Sequence, residues 1–318
     1  MIGGPRLHLA SGAEPALLDL LAALDRTGYD FVAPTPATHA RVVARPGKET
    51  ARDLRDILGW SLPFRPEVLP ADMFACLDTA GALGRDGELL KSRVRVSRVG
   101  GHLFLHSAYP TDDAESVFLG PDSYRFVDFI RSEIPRIAGV RRLVDIGAGA
   151  GVGGIMAAAL LPGARITLAD VNPIALQLAS INARHAGVPV ELVKGEGIEA
   201  VSGLVDLAIA NPPYIMDEGG RTYRDGGDMH GARLSLDWTL AAARRLEPGG
   251  RMLLYTGVAI VDGKDELRAA LERELPALGC SLRYRELDPD IFGEELDRPS
   301  YRDVERIAAV GAVVEAAP

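Results

Sequence analysis

Apolar and polar positions divide the chain near residue 140. Beyond that point, short apolar runs rich in β-branched residues alternate with stretches of helical spacing. RRLVDIGA (141–148), RITLAD (165–170), VELVKG (190–195), LVDLAIA (204–210), RMLLYTG (251–257), SLRYREL (281–287) and RIAAVGAVVE (306–315) read as strands. Helices are expected over about 152–161, 173–186, 232–246 and 264–278. Alternation of this kind implies an α/β fold, with a mainly parallel sheet and helices on both faces. Continuous apolar runs such as LVDLAIA suit strands covered on both sides. Asn172 and Pro173 form a helix start, and Glu247-Pro248-Gly249-Gly250 a stop and turn.

Residues 1–110 follow another pattern. EPALLDLLAALDRTG (14–28), ETARDLRDILGW (49–60) and LPADMFACLDTAG (69–81) have helical spacing. KSRVRVS (91–97) and HLFLHSA (102–108) then read as two strands joined at Arg98-Val99-Gly100-Gly101. Helices followed by a hairpin resemble a small winged-helix-like module. The expected division is 1–110 for substrate recognition, 111–139 as a linker and covering segment, and 140–318 as the main α/β domain.

Composition narrows the class. The chain has 318 residues, 47% apolar and 25% charged, as ordinary globular proteins do. No run approaches the length of a membrane span, and MIGGPRLHLA lacks the character of a secretory signal, which reads as cytoplasmic. Cys76 and Cys280 show no metal-ligand spacing and read as buried free thiols. The six histidines form no metal cluster, so no metal is expected. The net charge of −9 argues against indiscriminate nucleic-acid binding, but leaves room for a basic patch. Lys91, Arg93 and Arg95 alternate along one predicted strand, with Arg98 nearby. They read either as phosphate contacts or as a solvated strand face.

Two motifs carry chemistry. In DIGAGAG (145–151), Gly147, Gly149 and Gly151 allow a sharp strand-to-helix turn and close approach to a ligand. Gly149-x-Gly151-x-x-Gly154 with Asp170 also matches a dinucleotide fingerprint. Against a dinucleotide, Asp145 ends the first strand, where a carboxylate suits the cationic amino-acid end of S-adenosylmethionine. Asp170 can accept from ribose hydroxyls under either reading. The second motif, Asn211-Pro212-Pro213-Tyr214, directly follows a strand. Two prolines end the sheet and lock an extended loop. The Asn211 side-chain oxygen and the Pro212 carbonyl make two acceptors for a planar –NH2, and Tyr214 offers a face for stacking. Tyr223, Arg224, Asp225 and His230 follow, as candidate substrate contacts or as parts of a surface loop.

DIGAGAG, Asp170 and NPPY resemble the Rossmann-like methyltransferases of the small-domain type. That group includes amino-methylating nucleic-acid enzymes and the release-factor glutamine methyltransferases. The resemblance covers about residues 110–260 well. It implies a seven-stranded mixed sheet with the last strand antiparallel, and S-adenosylmethionine as cofactor. It places Asp145, Gly147, Ala148, Gly149, Gly151, Asp170, Val171, Asn172 and Glu196 around the cofactor, with Asn211 beside it. It assigns Asn211, Pro212 and Tyr214 to catalysis, and Pro213 and Tyr214 to substrate binding. VFLGPDSYRF resembles the segment that closes over the cofactor, without the PRPxTE-like pattern of glutamine methyltransferases. The substrate expected is a macromolecule, either nucleic acid or protein. A small-molecule amine roofed by residues 1–110 is the alternative.

Overall fold

The computed structural model describes residues 7, 9, 10, 12–111, 113–216 and 224–318. Its centre is a twisted sheet of seven long strands. These are β5 (Arg142–Ile146), β6 (Arg165–Asp170), β7 (Val190–Lys194), β8 (Val205–Ala210), β9 (Leu246–Val261), β11 (Cys280–Asp288) and β12 (Arg306–Ala316). The two-residue strand β10 (Lys264–Asp265) folds back on β9. The spatial order is β11-β12-β9-β8-β5-β6-β7. β5 to β9 run parallel, and the last strand, β12, is antiparallel to both its neighbours, as expected. Chain order reverses at β5, between β6 and β8, which makes the carboxyl ends there a topological switch point.

Burial follows the apolar pattern. β5, β8 and the later part of β9, from Met252 to Ile260, are almost wholly buried, whereas the edge strand β7 exposes most of its side chains. α5 (Pro121–Glu133), α6 (Val152–Ala158) and α7 (Pro173–His185) lie over one face. There Leu143, Leu207 and Leu253 meet Phe129, Ala157 and Ala179. α8 (Arg233–Ala243) and α9 (Glu266–Glu274) cover the other face, against Val144, Ala208 and Met252. The Asn172 side chain caps α7 by accepting from the Ile174 amide at 2.9 Å, as its sequence indicates.

The amino-terminal region contains α1 (Ala13–Arg26), α2 (Pro36–Val43), α3 (Leu54–Leu58) and α4 (Ala71–Thr79). Two hairpins follow, β1 (Leu83–Asp86) with β2 (Leu89–Ser92), and β3 (Val94–Val99) with β4 (His102–Ser107). Its apolar core is continuous with Ile174, Leu178 and Ile181 of α7. The Asn182 amide of α7 exchanges hydrogen bonds with the Leu105 backbone at 2.8 and 3.0 Å, and donates to the Ala150 carbonyl at 2.9 Å. The module is therefore tied to the glycine loop itself.

Several expectations change. The strand read over 91–97 is broken at Arg93, where the chain passes from one hairpin to the next. Arg95 consequently points inward, is buried, and meets the His39 ring at 3.2 Å. Arg98 pairs with Asp25 at 3.0 Å and with Asp30 at 3.6 Å. Neither belongs to an exposed phosphate-binding face. Within the expected linker and covering segment, 111–139, lies the helix α5, which begins at Pro121. Cys280 is buried, but Cys76 is only half-buried. No described helix is long and apolar enough to cross a membrane.

Candidate active site

A cavity of ≈ 380 Å³ opens at the carboxyl ends of β5, β6 and β8. The end of β5 brings in Asp145, and the loop after it Gly147, Ala148 and Gly149. The end of β6 contributes Asp170, the turn after it Val171 and Asn172, and the turn after β7 Glu196. The loop after β8 adds Asn211, Pro212, Pro213 and Tyr214, followed by Arg224 and Asp225. Four segments distant in sequence thus meet in one cavity.

The glycine loop is held from below by carboxylates. Gly147 and Gly149 have φ of 67° and 53°, a left-handed conformation that side-chain-bearing residues rarely adopt. A Cβ on Gly147 would come within 2.6 Å of the Trp238 ring. Asp170 accepts from the Gly149 amide at 2.8 Å and from the Asn172 amide at 2.8 Å. One carboxylate so fixes the loop after β5 to the turn after β6. Asp145, 2% exposed, accepts from the Gly154 amide at 2.7 Å. Burial, with Asp170 nearby as a second anion, pushes its carboxyl up to about 7. No cation is among the groups that shift it. Val171 is an exposed apolar side chain, at 41%, on the cavity wall.

Tyr214 is the most constrained of the expected residues. It is 7% exposed, and its hydroxyl donates to Asp122 Oδ2 at 2.6 Å. Tyr255 donates to Asp122 Oδ1 at 2.7 Å. Asp122 is thereby an anchor that joins α5, the loop after β8 and β9. Burial raises the Asp122 carboxyl and holds Tyr214 well above the usual phenol range, so both tyrosines remain donors at neutral pH. The Phe292 ring lies 6.0 Å from that of Tyr214 at 67°. Phe292 itself has φ of 51°, a strained value for a bulky residue, and it lines the cavity.

Three expected residues lie elsewhere or outside the described chain. Gly151 does not line the cavity; a Cβ there would press on Ile155, Ala179 and Leu168. His230 also lies off the cavity lining, 3.3 Å from Asp303. Tyr223 falls outside the described residues. Arg224 lines the cavity, and its guanidinium is paired with the buried Glu295. Phe118 and Asp122, within VFLGPDSYRF but not singled out by the sequence, line the cavity, as do Trp238 and Phe292, which the sequence reading missed. Trp238 could not be separated from an ordinary core residue by helical spacing. The roof, from Pro36, Thr111, Ser116, Val117 and Phe118, comes from the amino-terminal part and the segment after it. Among the described residues, no group of three His, Cys, Asp or Glu side chains could hold a metal ion.

A Rossmann-like sheet with a cavity over its switch point, floored by a glycine loop and walled by Asn-Pro-Pro-Tyr, defines the methyltransferase class. Residues 129–261 match the methyltransferase small domain. A release factor glutamine methyltransferase of Deinococcus radiodurans is 28% identical over 208 residues, 64% of this chain and 73% of that one. A 4-amino-L-phenylalanine/4-methylamino-L-phenylalanine methyltransferase of Streptomyces pristinaespiralis is 31% identical over 217 residues, 60% of this chain and 71% of that one. A ribosomal RNA small subunit methyltransferase C of Hahella chejuensis is 31% identical over 127 residues, but the chain spans only 34% of its length. In fold, the crystal structure of Trm5b from Pyrococcus abyssi superposes with a TM-score of 0.50 at 13% identity, covering 78% of this chain and 68% of that one. The chain belongs to the methyltransferase small domain family, and it is a methyltransferase.

Proposed function

We propose that the protein transfers a methyl group from S-adenosylmethionine to the nitrogen of a planar amino or amide group. The acceptor is a macromolecule, either a nucleic-acid base or a protein glutamine. The observation that carries this reading is that Asn211, Pro212, Pro213 and Tyr214 open into the same cavity as Asp145, the glycine loop and Asp170. The residues fit the cofactor: a buried carboxylate without a cationic partner, a positive-φ glycine loop, a second carboxylate, and apolar Val171. The cofactor, when bound, supplies an electrophilic methyl on a sulfonium. Asp145 would take its cationic amino-acid end, Asp170 its ribose hydroxyls, and Val171 and Glu196 the region of its base. Asn211 Oδ1 and the Pro212 carbonyl would accept the two hydrogens of the target –NH2 and aim its lone pair at the methyl. The N–C bond forms as the S–C bond breaks, with S-adenosylhomocysteine as the leaving group, and the methylated nitrogen gives up one proton to water. Tyr214 packs against the target. Positioning supplies most of the rate in a displacement of this kind. Tritium transfer from labelled cofactor into fractionated RNA, DNA, proteins and amino-bearing small molecules tests the reading, and label in none of them would refute it.

The roofed cavity favours one second reading, a small-molecule amine as acceptor. The hairpin of β3 and β4 is buried and offers no basic face to nucleic acid. The relative from Streptomyces pristinaespiralis is named for a small aromatic amine. Label recovered only in the small-molecule fraction would establish this reading over the first.

Asp145 makes cofactor binding depend on pH. With its carboxyl at about 7, it carries a proton through much of the acidic range in the ligand-free protein. Because the folded-state value is raised, Asp145 favours the ligand-free fold at low pH, and that contribution is lost as pH rises through about 7. A cationic ligand prefers the carboxylate, so binding releases the proton. Affinity for S-adenosylmethionine should therefore rise between about pH 5.5 and pH 7.5 and then flatten. Calorimetry in buffers of different ionisation enthalpy reads the released proton. Affinity independent of pH over that range would remove Asp145 from the cation site.

Asp170→Ala should weaken S-adenosylhomocysteine binding by about 1–3 kcal/mol, the scale for hydrogen bonds to a charged group. It loses the ribose acceptor, and it also frees the Gly149 and Asn172 amides that hold the loop. Calorimetry on the folded variant measures this, and unchanged affinity would exclude the role.

A further inference from the structure

Beside the first cavity lies a second, of ≈ 90 Å³, and the two share Ser116. Its walls include Arg85 and Lys91 of the β1–β2 hairpin and Arg93 from the junction that follows. Several other partly buried basic side chains are matched with acids: Arg98 with Asp25, Arg125 with Asp288 at 2.8 Å, and Arg283 with Glu133 at 2.6 Å. Arg85, Lys91 and Arg93 form no ion pair with any described residue. The Arg93 Nε atom is buried without a hydrogen-bond partner. A buried donor left in this state costs free energy that a bound acceptor would recover. Lys91 is half-buried, and burial lowers its ammonium below the usual lysine range. Three cations on the wall of one cavity, without an ion pair among the described residues, are costly in an unliganded protein, and they match the chemistry of an anion.

Asp113 and Glu115 line the same cavity. The Asp113 carboxylate accepts from the Glu115 amide at 2.9 Å, which ties part of its charge to its own segment. Their presence selects for a compact anionic group that can reach the hairpin side, and against a polyanion spread over the whole opening.

We propose that the second cavity is an anion subsite, in which Arg85, Lys91 and Arg93 hold a carboxylate or phosphate carried by the methyl acceptor. The subsite rests on the reading of the first cavity as the transfer site. It adds that the acceptor bears an anionic group beside its amine. Ser116, at the border of both cavities, marks where such a molecule would pass from one to the other.

The test is calorimetric, on the full chain saturated with S-adenosylhomocysteine. Two acids are each compared with a counterpart lacking the anion: 4-amino-L-phenylalanine with its methyl ester, and adenosine 5′-monophosphate with adenosine. One acid should bind about 10- to 100-fold more tightly than its counterpart, the scale of hydrogen bonds to charged groups. Which acid does so tells carboxylate from phosphate. The preference should vanish in Lys91→Gln/Arg93→Gln, while S-adenosylhomocysteine affinity stays unchanged and reports an intact fold. Lys91→Gln alone, at a half-buried position, should lose part of it. Failure of both acids to bind more tightly, or a preference that survives the double substitution, would overturn the subsite. The same titrations without cofactor separate the two ideas. A wild-type chain that keeps the anion preference but binds no S-adenosylhomocysteine would overturn the transfer reading and leave the subsite standing.

Discussion

Asn211→Ala is expected to slow methyl transfer about 100-fold, because a small misplacement of the reacting atoms has a large effect on rate. S-adenosylhomocysteine affinity should stay close to wild type. The separation follows from where each group sits. Asn211 directly follows β8 and lines the cavity, while the end of β5 with its glycine loop and the end of β6 with its turn carry the cofactor groups. Those two are tied to each other through Asp170 and not through Asn211. Pro212 and Pro213 remain in the variant and keep the loop extended. What is lost is one of two acceptors for the target –NH2, so the nitrogen rotates and its lone pair leaves the line of transfer. Single-turnover transfer to the acceptor found by labelling, with calorimetry beside it, measures both quantities. Wild-type transfer by the variant would show that Asn211 does not orient the acceptor.

The parts of this site that were legible in the sequence depend on local chemistry. Asn172-Pro173 announces a helix start whatever surrounds it, and the cap is present. DIGAGAG and NPPY each follow a strand, so their place at the carboxyl edge could be read before their neighbours were known. The helix read over 49–60 shrank to five residues for a local reason that spacing conceals. Asp53 caps it by accepting from the Asp56 amide at 2.8 Å, which leaves residues 49–53 outside. The turn read at Glu247–Gly250 is absorbed into β9 as an irregularity in its pairing with β8. The alternation of Lys91, Arg93 and Arg95 suggested one basic face because an unbroken strand was assumed. The break at Arg93 turns Arg95 inward instead. Asp122 lies in VFLGPDSYRF, which resembles a covering segment, but nothing local marked it as an anchor. Its partners lie 92 and 133 residues away, and only the closed sheet brings them together.

Gly257→Ala should also cut transfer about 100-fold, by displacing Tyr214, since sub-ångström placement governs the rate. Gly257 lies on β9, opposite Ala309 of β12, in ordinary extended backbone. It is glycine because of what touches it. A Cβ there would fall inside the van der Waals envelope of Tyr214 Cδ2 and Cε2. The ring cannot retreat freely, because its hydroxyl is held by Asp122, which is held in turn by Tyr255, two residues before Gly257 on the same strand. The added methyl group therefore strains the anchor from both ends. Overpacking of this kind costs about 1–3 kcal/mol, which thermal denaturation would register. S-adenosylhomocysteine affinity should change little, because Gly257 does not line the cavity. A double-mutant cycle separates loss of Tyr214 placement from general damage to the sheet. If Gly257→Ala acts through the ring, it should have little further effect on transfer in a Tyr214→Ala background. If the two substitutions instead multiply, β9 itself is disturbed and Tyr214 is not the element that Gly257 positions.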